Sequence, residues 1–167
     1  KQKQEEAFQK TSLSAEFGRN LCIGVVIDEN GMESRAVLGW DDKSERFTLD
    51  ESSTLKNWWG LLTNFDPSTD LIVGHNLFQF DLKFIFQRSV IHKIRPSVDL
   101  SFRRYQNRPI FDTMQDWTNW STQDKISLDR LAMVLGLRSS KTSEISGDKV
   151  YEQFKKGNHK LIMGYCL

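Results

Sequence analysis

The sequence predicts an α/β domain built on a mixed sheet. Its N-terminal half is rich in short apolar runs of strand length, and its C-terminal half carries helical spacing flanked by cap residues. A third observation places the chemistry. The stretch Val73-Gly74-His75-Asn76-Leu77-Phe78-Gln79-Phe80-Asp81 is an apolar strand that breaks into a helix and sets a carboxylate in the first helical turn. That puts Asp81 near a strand's C-terminal end, where an α/β sheet positions its ligand site.

Each element has a local reason. Lys1 to Gln9 is polar and helix-prone, with only Ala7 and Phe8 suited to a core. Leu21 to Ile27 reads as a buried strand, Glu29-Asn30-Gly31 as a turn, and Ser34 to Trp40 as the returning strand of a hairpin. Arg46 to Leu49 adds a short edge strand. Asp50 or Ser52 caps a helix running through Leu62, in which Leu55, Trp58, Trp59 and Leu62 share one face. The tryptophans are therefore read as core. Leu71, Ile72 and Val73 form a short strand after Asp66-Pro67-Ser68-Thr69-Asp70, and the helix from Asp81 buries Leu82, Ile85 and Phe86 and runs to His92.

A polar loop follows, ending in Phe102-Arg103-Arg104-Tyr105-Gln106-Asn107-Arg108, with three arginines, two aromatics and no acid. A solvated basic loop is the preferred reading; the alternative is a backbone-tracking segment whose rings stack on bases. Asp112 opens another helix with Gln115 at capping-box spacing, and is read as a cap rather than a metal ligand. Ser127 caps a helix with Leu128, Leu131, Ala132 and Leu135 on one face, stopped by Gly136 and Leu137. Asp148 and Gly157 bracket the next helix, and His159 to Leu167 reads as the last.

Composition excludes several classes. At 167 residues, 38% hydrophobic and 27% charged, the chain fits one ordered domain spanning residues 1–167. A net charge of +1 gives no general attraction to nucleic acid, so any basic site is local. Two cysteines, Cys22 and Cys166, read as buried thiols rather than a disulfide, in keeping with a cytoplasmic location. No apolar run is long enough to span a membrane. His75, His92 and His159 lack zinc-ligand spacing, and there is no Cys pair to complete a structural zinc site.

Asp81 is a hard oxygen ligand suited to Mg²⁺ or Mn²⁺, although an aspartate at a helix N-terminus is also favoured by the macrodipole alone. The pattern Asn76-x-x-x-Phe80-Asp81 after a strand resembles the second motif of metal-dependent 3′-5′ exonucleases. Arg108-Pro109-Ile110-Phe111-Asp112-Thr113-Met114 resembles their Asp-Thr strand, Ser127-Leu128-Asp129-Arg130-Leu131-Ala132 the helix after it, and Gly147-Asp148-Lys149-Val150-Tyr151 with Tyr165-Cys166-Leu167 the run-up to the third motif, Tyr-x-x-x-Asp. From about residue 20 to Leu167 the chain is similar to the bacterial exonucleases related to the family B DNA polymerase proofreading domain, in the ribonuclease H-like DEDD superfamily.

The resemblance implies a ribonuclease H-like five-stranded mixed β-sheet flanked by helices, with an Asp-x-Glu strand at its centre. It also implies two divalent ions, Mg²⁺ or Mn²⁺, that hydrolyse terminal phosphodiesters of DNA or RNA. Asp81 would be one metal ligand, Tyr165 would orient the attacking water, Asn76 and Phe80 would shape the pocket for the terminal nucleotide, and Arg88 would reach a phosphate if not simply solvated. A ring packed in the core is the competing reading of Tyr165. The partner is a nucleic acid with a free 3′ end. Two other classes stay open: a catalytically inactive binding module of the same fold, and a ribonuclease H-like endonuclease.

No Asp-x-Glu precedes the strand near Leu21, and the third-motif aspartate would fall beyond Leu167. The domain is therefore expected to be cut at both ends, without its central strand, and these 167 residues to show only trace nuclease activity. Sequencing the flanking gene checks this: Asp-x-Glu upstream and an aspartate four residues after Tyr165 are expected, and a complete reading frame with neither would remove the enzymatic reading.

Overall fold

The computed structural model describes residues 11, 13–138, 145 and 147–166; the Lys1 to Gln9 segment, Leu167 and the Asp148 side chain lie outside the described residues. The chain begins with an antiparallel hairpin of β1 (Ile23–Glu29) and β2 (Met32–Leu38), in register from Ile23↔Leu38 to Glu29↔Met32. Its loop is Asn30-Gly31, with φ of 56° and 84°. Two successive left-handed residues match the right-handed twist of the strands, and asparagine and glycine accept that backbone most readily. The Asp28 carboxylate accepts the Gly31 N–H at 2.8 Å and closes the turn.

The returning strand stops earlier than its apolar pattern suggests. Gly39 has φ +87°, and a Cβ there would lie 2.7 Å from Thr54 Oγ1 and 2.9 Å from the Leu21 carbonyl oxygen. The chain bends at that close approach, so Trp40–Asp41 (β3) leaves the first hairpin and pairs with Arg46–Phe47 (β4). Helix α1 (Glu51–Leu61) follows, its Asp50 cap accepting the Ser53 N–H at 3.0 Å. Leu55, Trp58, Trp59 and Leu62 are buried, so the tryptophans are core.

β5 (Ile72–Gly74) leads into α2 (Asp81–Ile91), and β6 (Ile110–Asp112) into α3 (Thr113–Thr118). The two strands run parallel with Ile72↔Ile110, Val73↔Phe111 and Gly74↔Asp112 in register. The chain continues through α4 (Leu128–Val134), a 3₁₀ turn (Gly147–Lys149), α5 (Val150–Lys155) and α6 (His159–Cys166).

The α/β class is as expected, but the continuous mixed sheet is not formed among the described residues. The strands make three separate pairs, β1 with β2, β3 with β4 and β5 with β6. β1 and β5 are each bonded along one edge and not to each other.

Two apolar clusters hold these pieces. The larger gathers Leu55, Trp58, Trp59, Leu77, Leu82, Ile85, Leu100 and Ile110, with Ile23, Val25 and Ile72 against it. The smaller is built on Phe47, Ile145 and Ile162, with Leu21, Cys22, Trp40, Phe154 and Tyr165 against it. β1 and the residues leading into it join the two. Cys22 and Cys166 are free thiols 3.1 Å apart at that junction, between β1 and α6.

Three helix readings are corrected. On α2 the buried face is Leu82, Ile85 and Ser89, while Phe86 is 40% exposed and turns its ring to Phe102, 5.7 Å away. Ser89 replaces it because its hydroxyl accepts the Trp59 indole N–H at 2.8 Å and donates to the Ile85 carbonyl, so a buried polar group is fully used. On α4 Leu131 is buried, whereas Leu128 and Leu135 are exposed among the described residues. The α4 ends do follow the sequence: Ser127 accepts the Arg130 N–H, and Gly136 and Leu137 donate back to Met133 and Ala132 in a Schellman stop. Asp148 falls inside the 3₁₀ turn, one residue before the Lys149 cap of α5.

Gly24 shows how closely α6 approaches β1. A Cβ at that position would lie 1.9 Å from the Cys166 carbonyl oxygen. Backbone cannot yield as a flexible side chain does, so Gly24→Ala is expected to destabilise by about 1–3 kcal/mol through overpacking. Gly60→Ala, within α1 and facing no atom within 4 Å, is expected to stabilise by about 0.5–1 kcal/mol. Urea unfolding of both variants measures the contrast, and equal effects would show that α6 does not rest on β1.

Candidate functional site

The site is assembled where the parallel pair ends. Gly74 and Asp112 face each other across β5 and β6, and each strand hands its chain directly to a connection that opens a helix. The segment from His75 to Phe80 carries the chain from β5 to Asp81. Asn76 has φ +66°, a left-handed backbone that asparagine tolerates better than most residues. Its carbonyl accepts the Gln79 and Phe80 N–H groups, which closes a turn just ahead of α2.

Asp112 fixes this connection. Its Oδ1 accepts the N–H of Asn76 at 2.8 Å, of Met114 at 3.0 Å and of Gln115 at 3.4 Å, and its Oδ2 accepts the N–H of Phe78 at 3.1 Å. The side chain is both the cap of α3 and the anchor of the neighbouring loop. At 3% exposure a carboxylate is costly to bury, and the backbone donors offset that cost. The cap expected from sequence is present; the second half of its role, toward Asn76 and Phe78, links residues more than thirty apart and has no local signal.

His75 adds a second tie. Its Nε2 lies 2.8 Å from the Ile126 carbonyl oxygen, which can only accept, so Nε2 carries a proton. Its Nδ1 lies 2.9 Å from Thr113 Oγ1, which is 3.2 Å from the Gly74 carbonyl. The ring thus braces the end of β5 against α3 and against the segment leading into α4. Sequence reasoning missed this role.

Asp81 sits differently. The residue is exposed at the first turn of α2, yet protein crowds its carboxyl on one side. That desolvation raises its pKa above the ordinary value; its own backbone N–H lowers it, the like charge of Asp112 raises it, and His75 lowers it. Phe80, immediately before it, is 38% exposed, with its ring 6.0 Å from that of Phe84. Asn76 Oδ1 is buried with no hydrogen-bond partner among the described residues.

Asn76, Phe80 and Asp81 therefore come together on one short segment. Tyr165 does not join them. Its ring packs against the Phe47–Ile162 cluster, with its hydroxyl oxygen 3.5 Å from where a Cβ on Gly147 would stand.

Arg88 is the correction. Neither a solvated side chain nor an open phosphate contact describes it. The side chain is 11% exposed, and its Nε and Nη2 donate to the Glu51 carboxylate at 2.9 and 2.5 Å, while Nη1 donates to the Ala15 carbonyl at 2.9 Å. Glu51 also meets His92 Nε2 at 2.8 Å and the Asn20 N–H at 2.6 Å. Seven residues beyond Asp81 is close to the same helical face, but the first turn of α1 supplies the buried acid that captures the guanidinium.

The donor chemistry of Asp81 suits a hard divalent cation. Among the described residues, however, no group of three or more His, Cys, Asp or Glu is gathered that could hold one. Asp112, the acid whose charge is felt at Asp81, has its oxygens committed to backbone N–H groups.

The model of a family described as predicted 3′-5′ exonucleases related to the exonuclease domain of PolB matches residues 11–167. The chain belongs to that family. No curated protein and no solved structure matches it. Membership in this PolB-exonuclease-related family implies a nucleic-acid substrate, and exonucleases of this kind normally use divalent metals. No helix among the described residues is long and apolar enough to cross a membrane.

The Glu51 pair generates a test. Burial by itself pushes the Glu51 pKa up, but hydrogen bonds from Arg88, Asn20 and His92 and the Arg88 charge outweigh it and hold the carboxyl below its ordinary 4.5. A depressed acid stabilises the fold above the unfolded value and loses that contribution as pH falls through the folded one. Stability is therefore expected to fall below about pH 4.5, and less so in Glu51→Gln. Arg88→Ala strands a buried charge and is expected to cost about 3 kcal/mol, the low end for a broken buried pair because His92 and Asn20 remain. Denaturant melts from pH 3 to 7 measure both. An Arg88→Ala protein of native stability with weakened nucleic-acid binding would return Arg88 to the substrate.

Proposed function

We propose that this protein is a metal-dependent 3′-5′ exonuclease that removes nucleotides from the free 3′ end of DNA or RNA. The observation that carries the reading is Asp81: an exposed carboxylate in the first turn of the helix that follows β5, on a connection held by Asp112. Desolvation and the Asp112 charge both press on its negative charge. A carboxylate in that state is relieved by a bound cation, and its pKa rises when none is present.

Two divalent ions, if bound, would supply charge stabilisation for the attacking and leaving oxygens. Asp81 would hold them through one carboxylate; the remaining ligands are not among the described residues gathered around it. The other residues bind and orient. Asn76 has a buried amide oxygen without a hydrogen-bond partner among the described residues, an acceptor for a donor group on the terminal nucleotide. Phe80 offers an exposed ring beside Asp81 on which the terminal base stacks. Tyr165, at the end of α6, is assigned to orienting the attacking water; this assignment rests on the third-motif resemblance and requires α6 to bring the hydroxyl toward Asp81.

In the full-length protein, Asp81→Ala is expected to abolish Mg²⁺- or Mn²⁺-dependent digestion of a 5′-labelled strand while the melting temperature holds or rises slightly. The sign follows from the raised pKa: the charged form is disfavoured in the fold, so its removal relieves the folded state at neutral pH. Asp112→Ala is expected to behave oppositely. It leaves several buried N–H groups unpaired, at roughly 1–3 kcal/mol each, and digestion falls with the folded fraction. Digestion by Asp81→Ala at the native rate would end the proposal.

A further inference from the structure

The loop from Phe102 to Arg108 and the residues after α3 meet in a way that solvated loops do not require. Tyr105 and Trp120 have their ring centroids 5.5 Å apart, and Trp120 lies 5.2 Å from Phe78. Both Tyr105 and Trp120 have φ +64°, a left-handed backbone that costs a bulky side chain energy and collects at functional sites. Core packing does not account for the strain at Tyr105, because that residue is 74% exposed.

Beside this ring contact lies a cavity of about 110 Å³, lined by Gln79, Arg104, Tyr105, Gln115, Trp120 and Lys125 among others. Neither Arg104 nor Lys125 is paired with a carboxylate among the described residues. The cavity is continuous with the segment that carries Asp81. Gln79 in its wall is two residues before Asp81, and Phe78 beneath Trp120 is tied through its N–H to Asp112.

We propose that this cavity is a subsite for an unpaired base of a single-stranded nucleic acid, upstream of the 3′ terminus. Tyr105, backed by Trp120, supplies the stacking face, the Gln79 and Gln115 amides face the base edge, and Arg104 and Lys125 meet the flanking phosphates. Stacking accepts any base, and two local cations supply what a net charge of +1 does not. The subsite deepens the exonuclease reading and rests on it for the identity of the ligand.

The test is binding in EDTA, where no digestion occurs, followed by fluorescence anisotropy of short unstructured oligonucleotides on the full-length protein. Tyr105→Ala is expected to weaken binding about tenfold, the fold-change that a stacking loss of about 1.4 kcal/mol produces. Tyr105→Phe keeps the ring and is expected to bind as the native protein does. Tyr105→Gly relieves the left-handed backbone, so it is expected to hold or raise the melting temperature while losing the same affinity. An oligonucleotide abasic along its length is expected to bind native protein and Tyr105→Ala equally. Lys125→Gln is expected to weaken every oligonucleotide and to flatten the salt dependence.

Unchanged affinity of Tyr105→Ala and Tyr105→Gly for the base-bearing strand would overturn the subsite. So would an equal loss on the abasic strand. A mononucleotide bound as tightly as the oligonucleotide would make the cavity a free-nucleotide pocket and overturn the strand reading. The two proposals fail separately: unchanged Tyr105→Ala binding, with Asp81→Ala still inactive, sinks the subsite alone. Weakened Tyr105→Ala binding in a native protein that digests nothing supports the subsite and sinks the exonuclease.

Discussion

The architecture around the candidate site depends on one buried carboxylate. Asp112 ends β6, and its two oxygens take N–H groups from α3 on one side and from the Asn76–Phe78 connection on the other. Two parallel three-residue strands make few hydrogen bonds of their own, so they specify the geometry beyond their ends weakly. Asp112 supplies the missing specification. A charge is suited to this because a carboxylate has enough lone pairs for several backbone donors, and because hydrogen bonds to an ionised acceptor are stronger than neutral ones. His75 repeats the principle on a smaller scale, bridging the Ile126 carbonyl and Thr113.

A second constraint acts at the other end of the molecule. β1 packs Ile23 and Val25 into the larger cluster, while Leu21 and Cys22, just before it, pack into the smaller one. The helix carrying Tyr165 meets β1 at Gly24 and through the Cys22–Cys166 contact, and packs Ile162 against Phe47 of β4. Side-chain volume at Gly24 therefore limits how closely α6 can approach β1.

What the sequence made legible was local. The Asn30-Gly31 turn, the Asp50 and Ser127 caps and the Gly136 stop each lie within a few residues of the groups they bond, and each was readable from residue type and spacing. The Asn76-to-Asp81 segment was legible for the same reason: strand, break and helix follow one another along the chain. The misreadings involve partners distant in sequence. Phe86 loses its place to Ser89 because Trp59, thirty residues away, needs an acceptor. Arg88 leaves the solvent because Glu51, thirty-seven residues away, is buried beside it. Gly39 breaks β2 because Thr54 and Leu21 crowd it. Periodicity describes which face of an element is apolar; it carries no record of which polar group the opposing element presents.

The same distinction separates the two aspartates of the site. Each follows a strand of the parallel pair and stands where a helix opens, so residue type alone would treat them alike. Asp112 is buried, and both its oxygens accept backbone N–H groups, which makes it structural. Asp81 is exposed, and its pKa is raised by desolvation first, with the Asp112 charge adding to it. The buried carboxylate thus does two things at once. It holds the connection on which Asp81 is carried, and its charge adds to the desolvation that raises the Asp81 pKa. An asparagine at position 112 would keep one accepting oxygen but turn an NH2 group toward a backbone donor, so anchoring and charging the site rest on the same two ionised oxygens.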